Sequence, residues 1–254
     1  MAKESKTPVI LSLSSGKGGV GKTSLTVNLA CALAQKGSQV LVVDGDMALA
    51  NVDVLLRFTA HKTIRDVLER GEDPMKAVIF VEPNLGVLPA SSGVPEMVDL
   101  GPAEHVLLGN ILSSIVGHFD YVLLDTAAGI GSSVLWLNTF ATHNGVVVTS
   151  DPTSITDAYA LIKILSREYG RKRFFLILNS VATPQEGQQT FDAIARVAEQ
   201  FLGIQPQYLG CVPRDNVVLK AVQEQLPFVK GAPRSKAAEA VVELAERIRR
   251  FKRE

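Results

Sequence analysis

Gly16-Lys17-Gly18-Gly19-Val20-Gly21-Lys22-Thr23 decides the fold. The frame Gly16-x4-Gly21-Lys22-Thr23 satisfies the phosphate-binding-loop pattern. Its glycines let backbone N–H groups turn inward on phosphate oxygens, and its lysine reaches the β- and γ-phosphates. The flanks are right for such a loop. Before it, Val9-Ile10-Leu11-Ser12-Leu13 is a short apolar run that reads as a buried strand. After it, Ser24 to Lys36 carries apolar residues at 25, 29, 32 and 33 in helical spacing, closed by Gly37. Strand, glycine-rich loop and helix N-terminus together make an anion cradle, with Ser24 continuing the binding segment.

Lys17 is surplus to that pattern. Lys22 serves a nucleotide in its own chain. A second cation at the loop entrance points to a second job, and the best candidate is a nucleotide held by another copy of the chain.

Working outward, apolar runs recur at Val40–Val43, Leu85–Leu88, Tyr121–Leu124, Gly145–Thr149, Phe174–Leu178 and Gln207–Cys211. Most are continuous rather than alternating, as strands covered on both faces are. Helical patterns separate them, at Ile64–Arg70, Ala103–Gly117, Ser132–Ala141, Ser154–Tyr169, Gly187–Leu202, Asn216–Gln223 and Ser235–Arg250. This alternation predicts an α/β fold, a doubly wound, mainly parallel sheet with helices on both faces. One domain is expected over 1–254, with a flexible N-terminus at 1–8 and a C-terminal helix and basic tail at 235–254. The stretch from Met47 to Gly101 is the least regular, with turn signals at Gly71–Pro74 and Ser91–Pro95, and is a candidate partner surface.

Composition narrows the function. The chain has 254 residues, is 46% hydrophobic and carries a formal net charge of zero. Nothing global steers it to nucleic acid or to an anionic membrane. Its two cysteines, Cys31 and Cys211, form no C-x-x-C pair, which counts against a cysteine-held cluster within one chain. Met1 to Pro8 is short and polar and no apolar run reaches spanning length, so the expectation is a soluble cytosolic protein.

Carboxylates follow the strands. Asp44-Gly45-Asp46 ends one run and Asp125 another. A carboxylate there points into the ligand crevice of a parallel sheet. Of the first pair, one can approach a Mg2+ shell and the other can hold the attacking water. Asp46 is favoured for the water because it lies beyond the strand; Thr23, Asp44 and Asp125 are then the metal candidates. Thr126-Ala127-Ala128-Gly129-Ile130-Gly131 is built for a mobile loop that brings a backbone N–H to the γ-phosphate. Asn179 and Pro213-Arg214-Asp215 fall at strand ends on the same side. They read equally well as adenine contacts or as ordinary caps and turns.

His61, His105, His118 and His143 show no ligand spacing and read as surface or helix-end residues; Trp136 reads as a core or interface residue. The last helix places Ala238, Val241, Leu244, Ala245 and Ile248 on one stripe and ends in Arg247, Arg249, Arg250, Lys252 and Arg253. It reads either as a core-packed helix with a basic end or as a membrane-surface helix.

The loop with its early lysine resembles the deviant Walker A motif of the MinD/ParA (SIMIBI class) P-loop ATPases. Within that family the likeness is strongest to the flagellar-number regulators, the FlhG/FleN group. It is carried further by Ala50–Leu56, Pro89–Val94, Asp125–Leu135, Asp151–Tyr159 and Pro213–Asp215. The resemblance implies ATP and Mg2+ as ligands, slow hydrolysis and an ATP-bound homodimer in which Lys17 reaches the partner's phosphates. It also implies that Asp44 and Asp46 belong to switch I, Asp125 to switch II, and Asn179 with Pro213–Asp215 to the adenine pocket. The implied output is control of flagellar number and placement. Implied partners are an FlhF-type GTPase, flagellar switch proteins or a flagellar transcription activator, at a peripheral membrane location. Met1 to Pro8 lacks the family's Asp-Gln-Ala-x-x-Leu-Arg activator pattern, and no separate membrane-targeting helix follows the last one. Weakened FlhF stimulation and weakened membrane attachment are the expectation. Division-site regulation of the MinD kind, ParA-type partition with non-specific DNA binding, and cluster transfer of the Mrp kind are the alternatives.

Overall fold

The computed structural model describes residues 7–46, 51–90 and 101–251. Outside them lie most of the N-terminal segment, Ala50, the Ser91–Pro95 turn with Ser91–Val94 of the resemblance, and the basic residues Lys252 and Arg253.

The chain runs β1 (Val9–Ser15), α1 (Lys22–Gln35), β2 (Val40–Gly45), α2 (Val52–Leu56) and α3 (Ile64–Arg70). A 3-10 turn at Pro74–Ala77 then leads to β3 (Ile79–Glu82) and β4 (Leu85–Leu88). Next come α4 (Pro102–Val116), β5 (Tyr121–Ala128), α5 (Ser132–Phe140), β6 (His143–Val148) and α6 (Pro152–Tyr169). The last part is β7 (Phe174–Val181), α7 (Pro184–Leu202), β8 (Gln207–Pro213), α8 (Asn216–Glu224), α9 (Phe228–Gly231) and α10 (Lys236–Ile248).

The sheet order is β3-β4-β2-β5-β1-β6-β7-β8, and every pairing is parallel except β3 with β4. The two-residue period of the strands divides the core. Leu11, Leu13, Val40, Val42, Leu123 and Ile177 pack against α1 and α10, while Leu41, Val43, Val122 and Leu124 pack towards α3 and α4. Beyond them, Val146, Val148, Leu176 and Leu178 meet α6 and α7. Burial on both faces is why these runs are continuous.

β1 breaks that rule on one face. Ser12 and Ser14 are fully buried and face α5, where Asn138 accepts from Ser12 Oγ at 2.8 Å and donates to Ser14 Oγ at 2.7 Å. Asn144 Nδ2 donates to Ser12 Oγ at 3.2 Å and to the Asn138 carbonyl at 2.7 Å. Arg171 then covers the last carbonyls of α5, donating to those of Asn138 (2.9 Å), Thr139 and Ala141. The loop expected over Thr126–Gly131 is shorter, because β5 runs on to Ala128 with Thr126 buried against β1; the helix after Gly129–Gly131 is thereby pinned to the strand that enters the phosphate loop.

α10 spends its apolar stripe in the core. Ala238, Val241, Leu244, Ala245 and Ile248 are buried with α1 and β8. Of the two readings of this helix, the core-packed one describes the structure. Phe251 folds back as well, its ring 4.6 Å from that of His143 and 4.4 Å from that of Phe175. His143 is therefore corrected: it is a core residue, 2% exposed, because β6 starts two residues earlier than Gly145 and draws the imidazole between aromatic rings. Trp136 is half-buried, stacked between His105 and Phe140.

Candidate functional site

The site is assembled at the C-terminal ends of β1, β2, β5, β7 and β8. β1 lies between β5 and β6, where the windings to the two edges diverge, and the glycine-rich loop leaves it there. Gly19 (φ 77°) and Gly21 (φ 85°) adopt the left-handed backbone that only glycine takes without strain. A Cβ on Gly16 would lie 2.2 Å from the Asp157 carbonyl oxygen, so the loop entrance sits directly on α6.

The two lysines go different ways. Lys22 opens α1 and is buried beside Asp125, whose carboxylate it stabilises. Lys17 points outward along the surface. Its Nζ lies 3.2 Å from Asp151 Oδ1 and 2.5 Å from Thr153 Oγ1, at the N-terminus of α6. The Lys17 carbonyl accepts from Ser15 Oγ at 2.8 Å, which fixes the backbone from which the side chain departs.

Asp44 and Asp125 stand side by side, paired in register on β2 and β5, each 1% exposed. Burial, then the charge of Asp125, pushes the Asp44 carboxyl up to about 7. Burial pushes Asp125 up to about 6 against the opposing pull of Lys22 and Thr23. Asp44 accepts from the Asp46 N–H (3.2 Å) and the Val52 N–H (3.4 Å). Asp125 Oδ1 accepts from Thr26 Oγ1 at 3.1 Å, while Oδ2 is buried with no hydrogen-bond partner among the described residues. A buried carboxylate oxygen left over beside Thr23 and a lysine fits a divalent cation carried in with phosphate oxygens. Asp46 follows β2 half-buried, close enough for its charge to act on both Asp44 and Asp125. Gly129 (φ 93°) donates its N–H to the Ser15 carbonyl at 2.8 Å, holding the loop after β5 against the phosphate loop.

On the far side, Asn179 Nδ2 donates to the Val20 carbonyl at 2.7 Å and braces the phosphate loop from β7. The Arg214 N–H reaches the Val181 carbonyl at 2.8 Å, and Pro213 ends β8 beside it. Asp215 caps α8 through the Val217 N–H at 3.1 Å and also accepts from the Ala237 N–H at 3.3 Å. Its carboxylate is committed to joining α8 to α10.

Gly16 to Ser24, Asp44, Asp46, Asp125, Asn179 and Pro213–Asp215 thus share one end of the sheet. Sequence reasoning assigned no role to Asp151, Thr153, Thr26 or Asn138. For Asp151 a signal existed, since an aspartate followed by proline after a strand is a helix-start signature.

Comparison with known proteins places the chain among nucleotide-binding relatives. The ParA model, described as that of the NUBPL iron-transfer P-loop NTPase, matches residues 6–249. The chain is 43% identical to the antiactivator FleN of Pseudomonas aeruginosa, covering 94% of this chain and 85% of FleN. It is 34% identical to the flagellum site-determining protein YlxH of Helicobacter pylori, covering 92% and 80% of the two chains. Among solved structures, the septum site-determining protein MinD of Pyrococcus horikoshii, complexed with Mg-ADP, aligns over 96% of both chains with a TM-score of 0.79 and 27% identity.

Proposed function

The chain belongs to the ParA/MinD family of P-loop NTPases, and we propose that within it this protein is an ATP-driven dimerising switch that controls flagellar number and placement. The observation that carries the switch is the divergence of its two loop lysines, one buried beside Asp125 and one laid on the outer surface. A lysine outside its own cradle is available to phosphates brought by a second chain. The flagellar output is supported by the likeness to FleN and YlxH over nearly the whole chain.

In this reading Lys22 and the loop N–H groups hold the phosphates, and Thr23 and Asp125 would hold Mg2+, with Asp44 supporting Asp125 from the next strand. Bound there, Mg2+ supplies charge neutralisation on the β- and γ-phosphate oxygens. Asp46 orients a water whose oxygen bonds to the γ-phosphorus as the bond to ADP breaks. Lys17 completes the partner's site, and the Gly129–Gly131 loop passes the nucleotide state to α5. Asn179, with Pro213 and Arg214, borders the adenine. The partners are flagellar: an FlhF-type GTPase, switch proteins or a transcription activator. In the source organism, cells lacking the chain should show altered flagellar number or placement, restored by the wild type and not by Lys17→Ala. Unchanged flagellation in the deletion strain contradicts the reading.

The family model's description favours iron transfer as a second reading. Cys31 is buried in α1, where burial pushes its thiol up to about 11, and Cys211 lies on the edge strand β8. A protonated core thiol is a poor cluster ligand. Iron and sulfide analysis of the purified protein separates the readings.

A further inference from the structure

β8 is an edge strand of the sheet, paired with β7 alone. Its outer edge floors a groove of about 590 Å³ between α7 and α10. Those helices cover opposite faces of the sheet, so the groove opens on the edge between them. Both press closely on the strand. A Cβ on Gly187 of α7 would lie 3.1 Å from Cys211 Cβ, and one on Gly210 would lie 2.8 Å from Leu244 Cδ2 of α10. α10 runs alongside β8 and is tied at two points. The Ala237 N–H donates to Asp215, just past the strand, at 3.3 Å, and Arg247 Nη1 donates to the Leu209 carbonyl at 2.6 Å. Between these ties Glu239 and Glu243 line the groove one helical turn apart. Both are exposed, and neither forms an ion pair among the described residues. Lys236 and Arg247 stand at the two ends.

An unpaired strand edge is a template for another strand. Arg247 covers one point of this edge, at Leu209, which the register leaves as a bulge between Tyr208 and Gly210. Helix positions four apart are about 6 Å apart along the axis, and alternate side chains of an extended chain are about 6.7 Å apart. We infer that the groove docks an extended segment of a partner protein that carries basic residues at alternate positions. Its backbone adds to β8 as a further strand, and its two cations meet Glu239 and Glu243. The side chains between them turn towards α7, over Tyr208 and Cys211, and are uncharged. Lys236 and Arg247 repel cations at the ends and so fix where the basic pair lies. β8 is three strands away from β1, so docking there leaves the phosphate loop uncovered.

The probes are two fluorescein-labelled peptides, Thr-Thr-Lys-Val-Lys-Thr-Thr and the same peptide with both lysines replaced by glutamate. Fluorescence anisotropy reads their titration with the purified protein. Wild type should bind the lysine peptide more tightly than the glutamate one. Glu239→Gln/Glu243→Gln should weaken lysine-peptide binding roughly two- to thirty-fold, the span of losing two exposed ion pairs. Glu239→Lys/Glu243→Lys should reverse the preference. Strand addition has its own signature, because alternate amides of an added strand face its neighbour. N-methylation of the two lysine amides and of the amides between and after them should therefore differ, one set abolishing binding and the other sparing it. Equal effects of the two sets would show plain charge attraction and overturn strand addition. Failure of both peptides to bind, or equal affinity of wild type and Glu239→Gln/Glu243→Gln, would overturn the proposal. If neither peptide binds while light scattering shows nucleotide-free wild type self-associating and Glu239→Lys/Glu243→Lys not, the groove takes a second copy of this chain and the partner assignment falls.

Discussion

Asp44 and Asp125 lie opposite each other in register on adjacent parallel strands, two buried carboxylates with one lysine, Lys22, acting on the second. Such a pair is costly while both are charged and becomes favourable when a cation joins it. The site is thus built around positive charge that arrives with its ligand.

That pairing fixes a pH dependence. Asp44 has an ordinary value of 3.8 and is raised to about 7, chiefly by burial. Below 3.8 the group is protonated in folded and unfolded chains alike and contributes nothing. Between there and about 7 the folded chain retains a proton that the unfolded chain has lost, so stability falls as pH rises. Asp44→Asn should therefore leave the melting temperature of the nucleotide-free protein unchanged near pH 4 and raise it at pH 8. Thermal unfolding of both proteins across that range checks the sign. Removing Mg2+ from the wild type should weaken nucleotide binding most at the alkaline end.

Asp46→Ala should lower ATP turnover on the order of 10²-fold or more while leaving ATP-dependent dimerisation intact, since it removes water positioning and no phosphate contact. Single-turnover hydrolysis with light scattering on the same sample reads both. Loss of dimerisation would assign Asp46 to assembly instead.

Gly21→Ala combines two faults. The left-handed backbone at φ 85° costs about 1–2 kcal/mol for alanine, and the new methyl would meet Asn179 Nδ2 at 2.4 Å. Nucleotide binding should be lost. Asn179→Ala, which removes the brace to the Val20 carbonyl, should weaken nucleotide binding with a stability loss of about 1 kcal/mol. Fluorescent-nucleotide titration and urea unfolding separate the two effects.

Asn138→Leu takes from Ser14 the amide that donates to it and removes one of the acceptors of Ser12 and Asn144, which keep each other and the His143 and Asn138 carbonyls. A buried group left unsatisfied costs about 1–3 kcal/mol, so a loss of about that size is expected. Urea unfolding measures this, and a loss below about 1 kcal/mol would mean that the network carries little.

Much of this was legible because period and punctuation agree. Leu85–Leu88 and Ile64–Arg70 match their elements end to end, one a continuous apolar run and the other closed by Gly71 with φ 64°. β3 was missed because Ile-Phe-Val-Glu is a four-residue antiparallel edge strand only partly buried, with no run long enough to signal it. α7 begins at Pro184 rather than Gly187, although Thr183 and Glu186 carry a helix-start signature. The phosphate loop and its carboxylates were visible as motifs after strands. The Lys17–Asp151 contact was not, since 134 residues separate the pair and the placement of β6 beside β1 brings them together.

The cross-chain role of Lys17 is tested most directly by mixing two inactive proteins, Lys17→Ala and Lys22→Ala. In a mixed dimer the Lys17→Ala chain keeps its own Lys22 and receives Lys17 from its partner, so one complete site is rebuilt. The account predicts that ATP hydrolysis, absent from each protein alone, returns on mixing. A mixture as inactive as its components would show that Lys17 acts within its own chain and would contradict the account.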